Sequence, residues 1–196
     1  MSRPSRQPRE ELRKAIVDTT KNILDTEGVE GLTARAIARE IGYTAASIYN
    51  VFESMSDILM EVNRETLSEL DAMFEALPSD GSPKDRLEAI CLSYVNFMRR
   101  NPARWSALFG GLRERDAFPE WYVGAIDQLM NRLAALLTDH APGLAPVAAL
   151  RSAELLFITI HGLVSLDVGR RLDMFTRRPA SDLAQSALEA TLLSLG

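Results

Sequence analysis

Residues 33–52 read TARAIAREIGYTAASIYNVF. The first half has a helical pattern, with Ile37, Ala38 and Ile41 turned inward at i, i+1 and i+4. Gly42 breaks that helix, and Thr44 is placed to cap the next one. Two short helices thus meet at a glycine turn, and the second shows small, polar and aromatic residues on its outer face. A protein sets a helix into the DNA major groove with that arrangement. The rest of the chain is organised around this element.

Upstream, a helix over about Arg9 to Glu27 buries Leu12, Ile16, Thr19, Ile23 and Leu24 and stops at Gly28. Downstream, Ser54 is followed three residues later by Asp57, the cap of a long amphipathic helix reaching Leu77. The segment PSDGSP over 78–83 is a break, with Ser82 as cap and Pro83 in the first turn of the next helix. Further helices are predicted over about 83–100, 102–109, 119–140, 146–171 and 179–195, with a glycine-rich polar loop after Phe109. The count is nine helices with almost no strand-like alternation: an all-α chain. Its expected organisation is an arm (1–8), a headpiece (9–54) and a body (55–196).

Composition constrains the function. Of 196 residues, 46% are apolar, enough for a sizeable core. No unbroken run of roughly 18 apolar residues occurs, so no membrane span is expected. The basic N-terminus has no apolar stretch behind it and does not read as a signal peptide. A lone cysteine, Cys91, cannot form an internal disulfide, which fits a reducing cytoplasm. The net charge of −5 argues against nucleic acid only until it is divided. Residues 1–52 hold eight Lys or Arg against seven acids, and five of those cations precede residue 15. Basic character is therefore local to the headpiece, on an acidic body.

The headpiece resembles that of the TetR family of transcriptional regulators. The resemblance runs from about Arg9 to Val62. It rests on Gly42, Thr44, Ala45, Ala46, Ser47, Ile48, Tyr49 and Phe52, followed by Ser-x-x-Asp-Ile-Leu from Ser54. The back half resembles, more loosely, the branch whose signature helix contains Trp-His-Gly. Here that helix reads FITIHGLVSLDVG, with His161 and Gly162 present and Ile160 in the tryptophan's place.

The resemblance implies a DNA-reading face on the third helix: Thr44, Ala45, Ala46, Ser47, Tyr49 and Asn50, with Thr33 and Arg35 beside it. Asn50 suits an adenine edge, Ser47 several acceptors, and the Ala45 and Ala46 methyls a thymine methyl. Tyr49 and Thr33 would reach phosphates, Thr33 from a helix N-terminus. Arg3, Arg6 and Arg9 would follow the backbone or enter the minor groove. Each has a plainer reading: Tyr49 as headpiece core, Ala45 and Ala46 as neutral surface, the arm as a solubilising tail. One departure stands out. Where the family usually has a phosphate-binding lysine at the start of the fourth helix, this chain has Met55, which should weaken binding and flatten its salt dependence.

For the body, the resemblance implies a pocket for a small apolar or amphipathic effector. Its candidate lining is Tyr94, Phe97, Met98, Trp105, Phe109, Trp121, Tyr122, Met130, Phe157 and His161; any one of them singly reads better as core, and several together as a lining. His161, alone in an apolar helix, needs a polar partner there. The last two helices, through Leu150, Ala153, Leu156, Phe157, Ile160, Leu163 and Val164, then Leu183, Ala187, Leu188 and Leu192, are expected to pair with their copies. The implied protein is a homodimeric repressor on a palindromic double-stranded operator, released when the effector shifts the fourth helix. The rival readings are a small-molecule-binding scaffold with weakened DNA binding and a DNA-binding activator. Catalysis has little support: no CxxC, HExxH, GxSxG or phosphate loop is present, and neither metal nor cofactor is expected.

Overall fold

A computed structural model describes residues 8–110 and 118–195, apart from the side chains of residues 109 and 110. Among the described residues there are nine α-helices and no strand. They are α1 (Arg9–Glu27), α2 (Ala34–Ile41), α3 (Ala45–Tyr49), α4 (Met55–Glu75), α5 (Pro83–Arg100), α6 (Pro102–Gly110), α7 (Glu120–His140), α8 (Pro146–Val168) and α9 (Ala180–Leu193). The expected ends hold to within a few residues, except that α8 stops at Val168 and a 3-10 turn follows over Leu172–Met174.

The chain forms two compact units. One contains α1, α2, α3, α4 as far as Thr66, and α6; the other contains α4 from Leu67, α5, α7, α8 and α9. Two points differ from the sequence-based division. The units part within α4 rather than at its start, and α6 folds with the headpiece. Ala107 of α6 is buried in the headpiece core with Ala103 packed against it. The Asn63 amide donates to the Ala107 carbonyl at 3.3 Å, and Arg104 pairs with Asp25 of α1 at 2.9 Å. Spacing along the chain does not carry these long-range links.

The headpiece core is Ile16, Val17, Ile23, Leu24, Ile37, Ala38, Ile48, Phe52, Ile58, Leu59 and Val62. In α1 the buried threonine is Thr20, not Thr19; its hydroxyl donates to the Ile16 carbonyl at 2.7 Å, which satisfies it inside an apolar helix face. Arg13 stacks over Phe52, 4.4 Å from the ring centre, and pairs with Glu61 at 2.8 Å, so one side chain holds α1 against both the α3 exit and α4. In the second unit the core runs through Leu87, Met98, Leu137, Ala153, Leu156, Val164, Ala184 and Leu188.

Candidate nucleic-acid interface and effector crevice

The turn between α2 and α3 is set by its caps. Thr33 Oγ1 accepts the Ala36 N–H at 3.0 Å and opens α2. Gly42 ends α2 in the left-handed region (φ 73°), and the Tyr43 N–H returns to the Ala38 carbonyl at 2.8 Å. Thr44 Oγ1 accepts the Ser47 N–H at 3.2 Å and opens α3. The caps thus fix where α3 starts and which way it points.

That register divides α3 sharply. Ile48 and, just beyond the helix, Phe52 are buried, while Thr44, Ala46, Tyr49 and Asn50 are exposed. Tyr49 is 51% exposed and Phe52 3%, so the Tyr-x-x-Phe pair splits into an outward and an inward aromatic. Ser47 is half-buried, with Oγ 2.9 Å from Thr44 Oγ1. Ala45 is half-buried against the headpiece core, which leaves less of its methyl for a ligand than Ala46 keeps. Thr33 and Arg35 are exposed, and Arg35 makes no ion pair among the described residues. Thr33 and Thr44 accept cap bonds through oxygen, so their hydroxyl protons are what they have to offer an anion. Arg3 and Arg6 lie outside the described residues; Arg9 opens α1 and is exposed.

Met55 is half-buried against the headpiece core, so this chain uses as packing the position where a lysine would reach outward. The α4 cap is complete. Ser54 Oγ accepts the Asp57 N–H at 3.1 Å and donates to the Asp57 carboxylate at 3.0 Å.

In the second unit a narrow crevice, with a cavity volume of about 20 Å³, opens between α4, α5, α7 and α8. Its walls are Phe74, Ile90, Cys91, Tyr94, Leu129, Leu133, Leu156, Phe157 and Ile160. Of the residues predicted to line a pocket, Tyr94 and Phe157 are among the walls of this crevice. His161 stands behind them, its Nδ1 2.9 Å from the Tyr94 hydroxyl and its ring 5.6 Å from Phe157. This is the polar partner that His161 needed, and burial holds its pKa below the ordinary 6.5, keeping the imidazole neutral. Burial also pushes the Cys91 thiol up to about 12.

The other candidates are elsewhere. Met98 of α5 and Met130 of α7 are buried core, and Phe97 on α5 is half-buried. Trp121 and Tyr122 form an aromatic cluster with Phe118 at the start of α7, with centroids 5.6 and 4.8 Å from Tyr122. Trp105 lies on α6 in the headpiece unit, and the Phe109 side chain is outside the described residues. The aliphatic wall was missed because leucine and isoleucine at helical spacing carry no mark separating cavity from core. Among the described residues no group of three or more His, Cys, Asp or Glu is placed to hold a metal ion.

Several of the residues expected to pair with a second copy are instead buried. Ala153, Leu156, Ile160, Val164, Leu188 and Leu192 are buried within the chain itself. The apolar residues left open are Val147, Leu155 and Ile158 on α8 and Leu193 on α9, with Leu155 and Ile158 each 65% exposed. By length and composition alone α8 is apolar enough to cross a membrane, although it contains no unbroken apolar run. Its open apolar residues account for that, since only 28% of its most apolar stretch is buried.

Two family models match. One, described as bacterial regulatory proteins of the tetR family, covers residues 16–62; the other, a tetracyclin repressor-like C-terminal domain, covers residues 87–191. A helix-turn-helix transcriptional regulator of Mycobacterium tuberculosis is 26% identical over 161 residues, 82% of this chain and 72% of that protein. The transcriptional repressor KstR of Rhodococcus jostii is 26% identical over 133 residues, 67% of this chain and 62% of the repressor. Among solved structures, a protein of unknown function from Rhodococcus sp. RHA1 superposes with a TM-score of 0.78 at 22% identity, covering 99% of both chains.

Proposed function

Because the chain belongs to the TetR family of bacterial transcriptional regulators and carries their helix-turn-helix DNA-binding domain, we propose that it is a homodimeric repressor released from a palindromic operator by a small, largely apolar effector. The observation that carries this reading is the division of α3, whose Tyr49, Asn50, Ala46 and Thr44 face outward from a fully packed headpiece. Those groups suit phosphates and base edges. Thr33, Arg35 and Ser47 flank them, and Ala45 contributes the part of its methyl that the core leaves open. KstR, a relative by sequence, is a repressor, which supports the sign of regulation. Such a protein works in the cytoplasm, where the DNA is.

The dimer reading rests on Leu155 and Ile158, which the chain leaves exposed on its most apolar helix. A second copy across a two-fold axis covers them and places two reading helices on one duplex, hence the palindrome. The effector reading rests on the crevice, whose α4 wall is Phe74. Since α4 has residues in both units, a ligand that displaces its C-terminal part acts on the helix that enters the headpiece. A preference of about 3 kcal/mol for the released state weakens operator binding on the order of 100-fold.

The test is selection of the purified protein against a random duplex pool, followed by a salt titration of the enriched sequence. An inverted repeat whose affinity falls steeply with salt is expected. Absence of enrichment at low salt sinks the reading.

A further inference from the structure

The apolar crevice does not stand alone. A second void, about 190 Å³, shares two of its walls, Phe74 and Ile90. Its remaining lining is of opposite character and includes Ser79, Arg86, Arg132 and Glu75. All these groups belong to the same unit. We propose that the two voids form one site for an amphiphilic anion, with its hydrocarbon part against the apolar walls of the half-open crevice and its carboxylate between Arg86 and Arg132.

The inner end selects for hydrocarbon. Its walls are aliphatic and aromatic, the Cys91 thiol stays protonated, and the Tyr94 hydroxyl already has His161. A polar ligand group lodged there loses its water without a fixed charge to replace it. The outer end selects for an anion. Arg86 is half-buried and makes no ion pair among the described residues, so a carboxylate supplies what it lacks. Arg132 pairs with Asp71 at 2.8 Å and Glu75 at 3.6 Å. A cationic head group meets two guanidinium groups there, while both carboxylates are already engaged by one of them.

This arrangement also suggests how occupancy is transmitted, a step that rests on the effector-release reading above. Arg132 is on α7, and both of its partners are in the last turns of α4. A ligand carboxylate competes with Asp71 and Glu75 for the same guanidinium. Binding therefore loosens the ion pairs that hold the end of α4, while the hydrocarbon presses on Phe74 of the same helix.

The experiment compares decanoate, decanol and decyltrimethylammonium by calorimetry on the full-length protein, for the wild type and Arg86→Gln. Thermal melting checks that the variant folds. Decanoate is expected to bind the wild type most tightly and to lose about ten- to a hundredfold in Arg86→Gln, whereas decanol is indifferent to the substitution. Equal binding of decanoate and decanol, an indifferent Arg86→Gln, or no binding of decanoate overturns the proposal. Operator release is then read separately. If decanol frees the operator as well as decanoate does, effector release stands and the anion site falls. If decanoate binds through Arg86 yet leaves the operator occupied, the anion site stands and effector release falls.

Discussion

Replacing Tyr49 and Phe52 by alanine, one at a time, separates the two jobs assigned to neighbouring aromatic residues. Tyr49 is 51% exposed and makes no hydrogen bond among the described residues. Truncating it gives up some half-buried ring area, partly offset by about 0.5 kcal/mol from alanine's better helix propensity. The folded state should therefore change by less than about 1 kcal/mol, roughly 2–4 °C in a chain of this size. Phe52 is 3% exposed inside the headpiece core and lies under Arg13. Its removal costs about 3–5 kcal/mol for the cavity, plus about 0.5–1 kcal/mol for the lost cation–π contact. On DNA the ranking reverses. A hydroxyl on a phosphate is worth about 1–2 kcal/mol per half-site. Two half-sites make that about 2–4 kcal/mol, roughly 30- to 1,000-fold in affinity. Circular dichroism melts and fluorescence anisotropy on the selected operator measure the two quantities. The assignment of the reading helix fails if Tyr49→Ala melts as low as Phe52→Ala, or if it keeps wild-type operator affinity. Tyr49→Phe then apportions the loss between ring and hydroxyl.

Met55→Lys should steepen the logarithmic salt dependence of operator binding by about 0.9 per subunit, close to 2 for the dimer; an unchanged slope means that no phosphate lies near the start of α4. Leu155→Glu combined with Ile158→Glu puts charge on the open face of α8 without touching the chain's own core, so light scattering should show a folded monomer, and a persisting dimer refutes that face. Because burial depresses the folded-state pKa of His161, the unfolded chain takes up its proton first as pH falls. The stability from neutral His161 is complete above about pH 6.5 and declines below it, so His161→Gln should narrow the difference in melting temperature between pH 7 and pH 5.5. The Cys91 thiol, pushed up to about 12, should react with a disulfide reagent at pH 8 far more slowly than in denaturant, and equal rates would show an open crevice.

The headpiece was legible because its signals are short-range. Thr33, Gly42, Thr44 and Ser54 act on backbone groups within a few residues, so spacing alone gave the caps, and the caps gave the outward face of α3. Legibility ended where partners are distant in the chain. That α6 sits on α1 through Arg104 and Asp25 is invisible to any local pattern. The lining of the crevice was legible only in part, for a related reason. Bulky aromatics were expected to line it, and Tyr94 and Phe157 do, but Tyr122 stacks on Phe118 and meets Trp121 edge-on, and much of the wall is aliphatic. Volume left unfilled depends on how helices cross, which composition does not encode.

The same limit explains α8, where one apolar pattern serves two surfaces. Ala153, Leu156, Ile160 and Val164 recur at helical spacing and are buried within the chain; Val147, Leu155 and Ile158 recur at almost the same spacing and are open. A helix apolar nearly all round satisfies equally a buried core element, a membrane span and a helix shared between two copies. The open face separates these. Arg151 and Glu154 are exposed beside Leu155, and Gly162 and Ser165 are exposed further along. Charges beside leucine are expensive in lipid, whereas at an interface between copies they stay at the wet rim while glycine and serine let the backbones approach. Membership of a family of DNA-binding regulators agrees with that physics. The apolar excess on α8 is thus best accounted for by an interface that one chain leaves unfinished, and the operator's symmetry would follow from completing it.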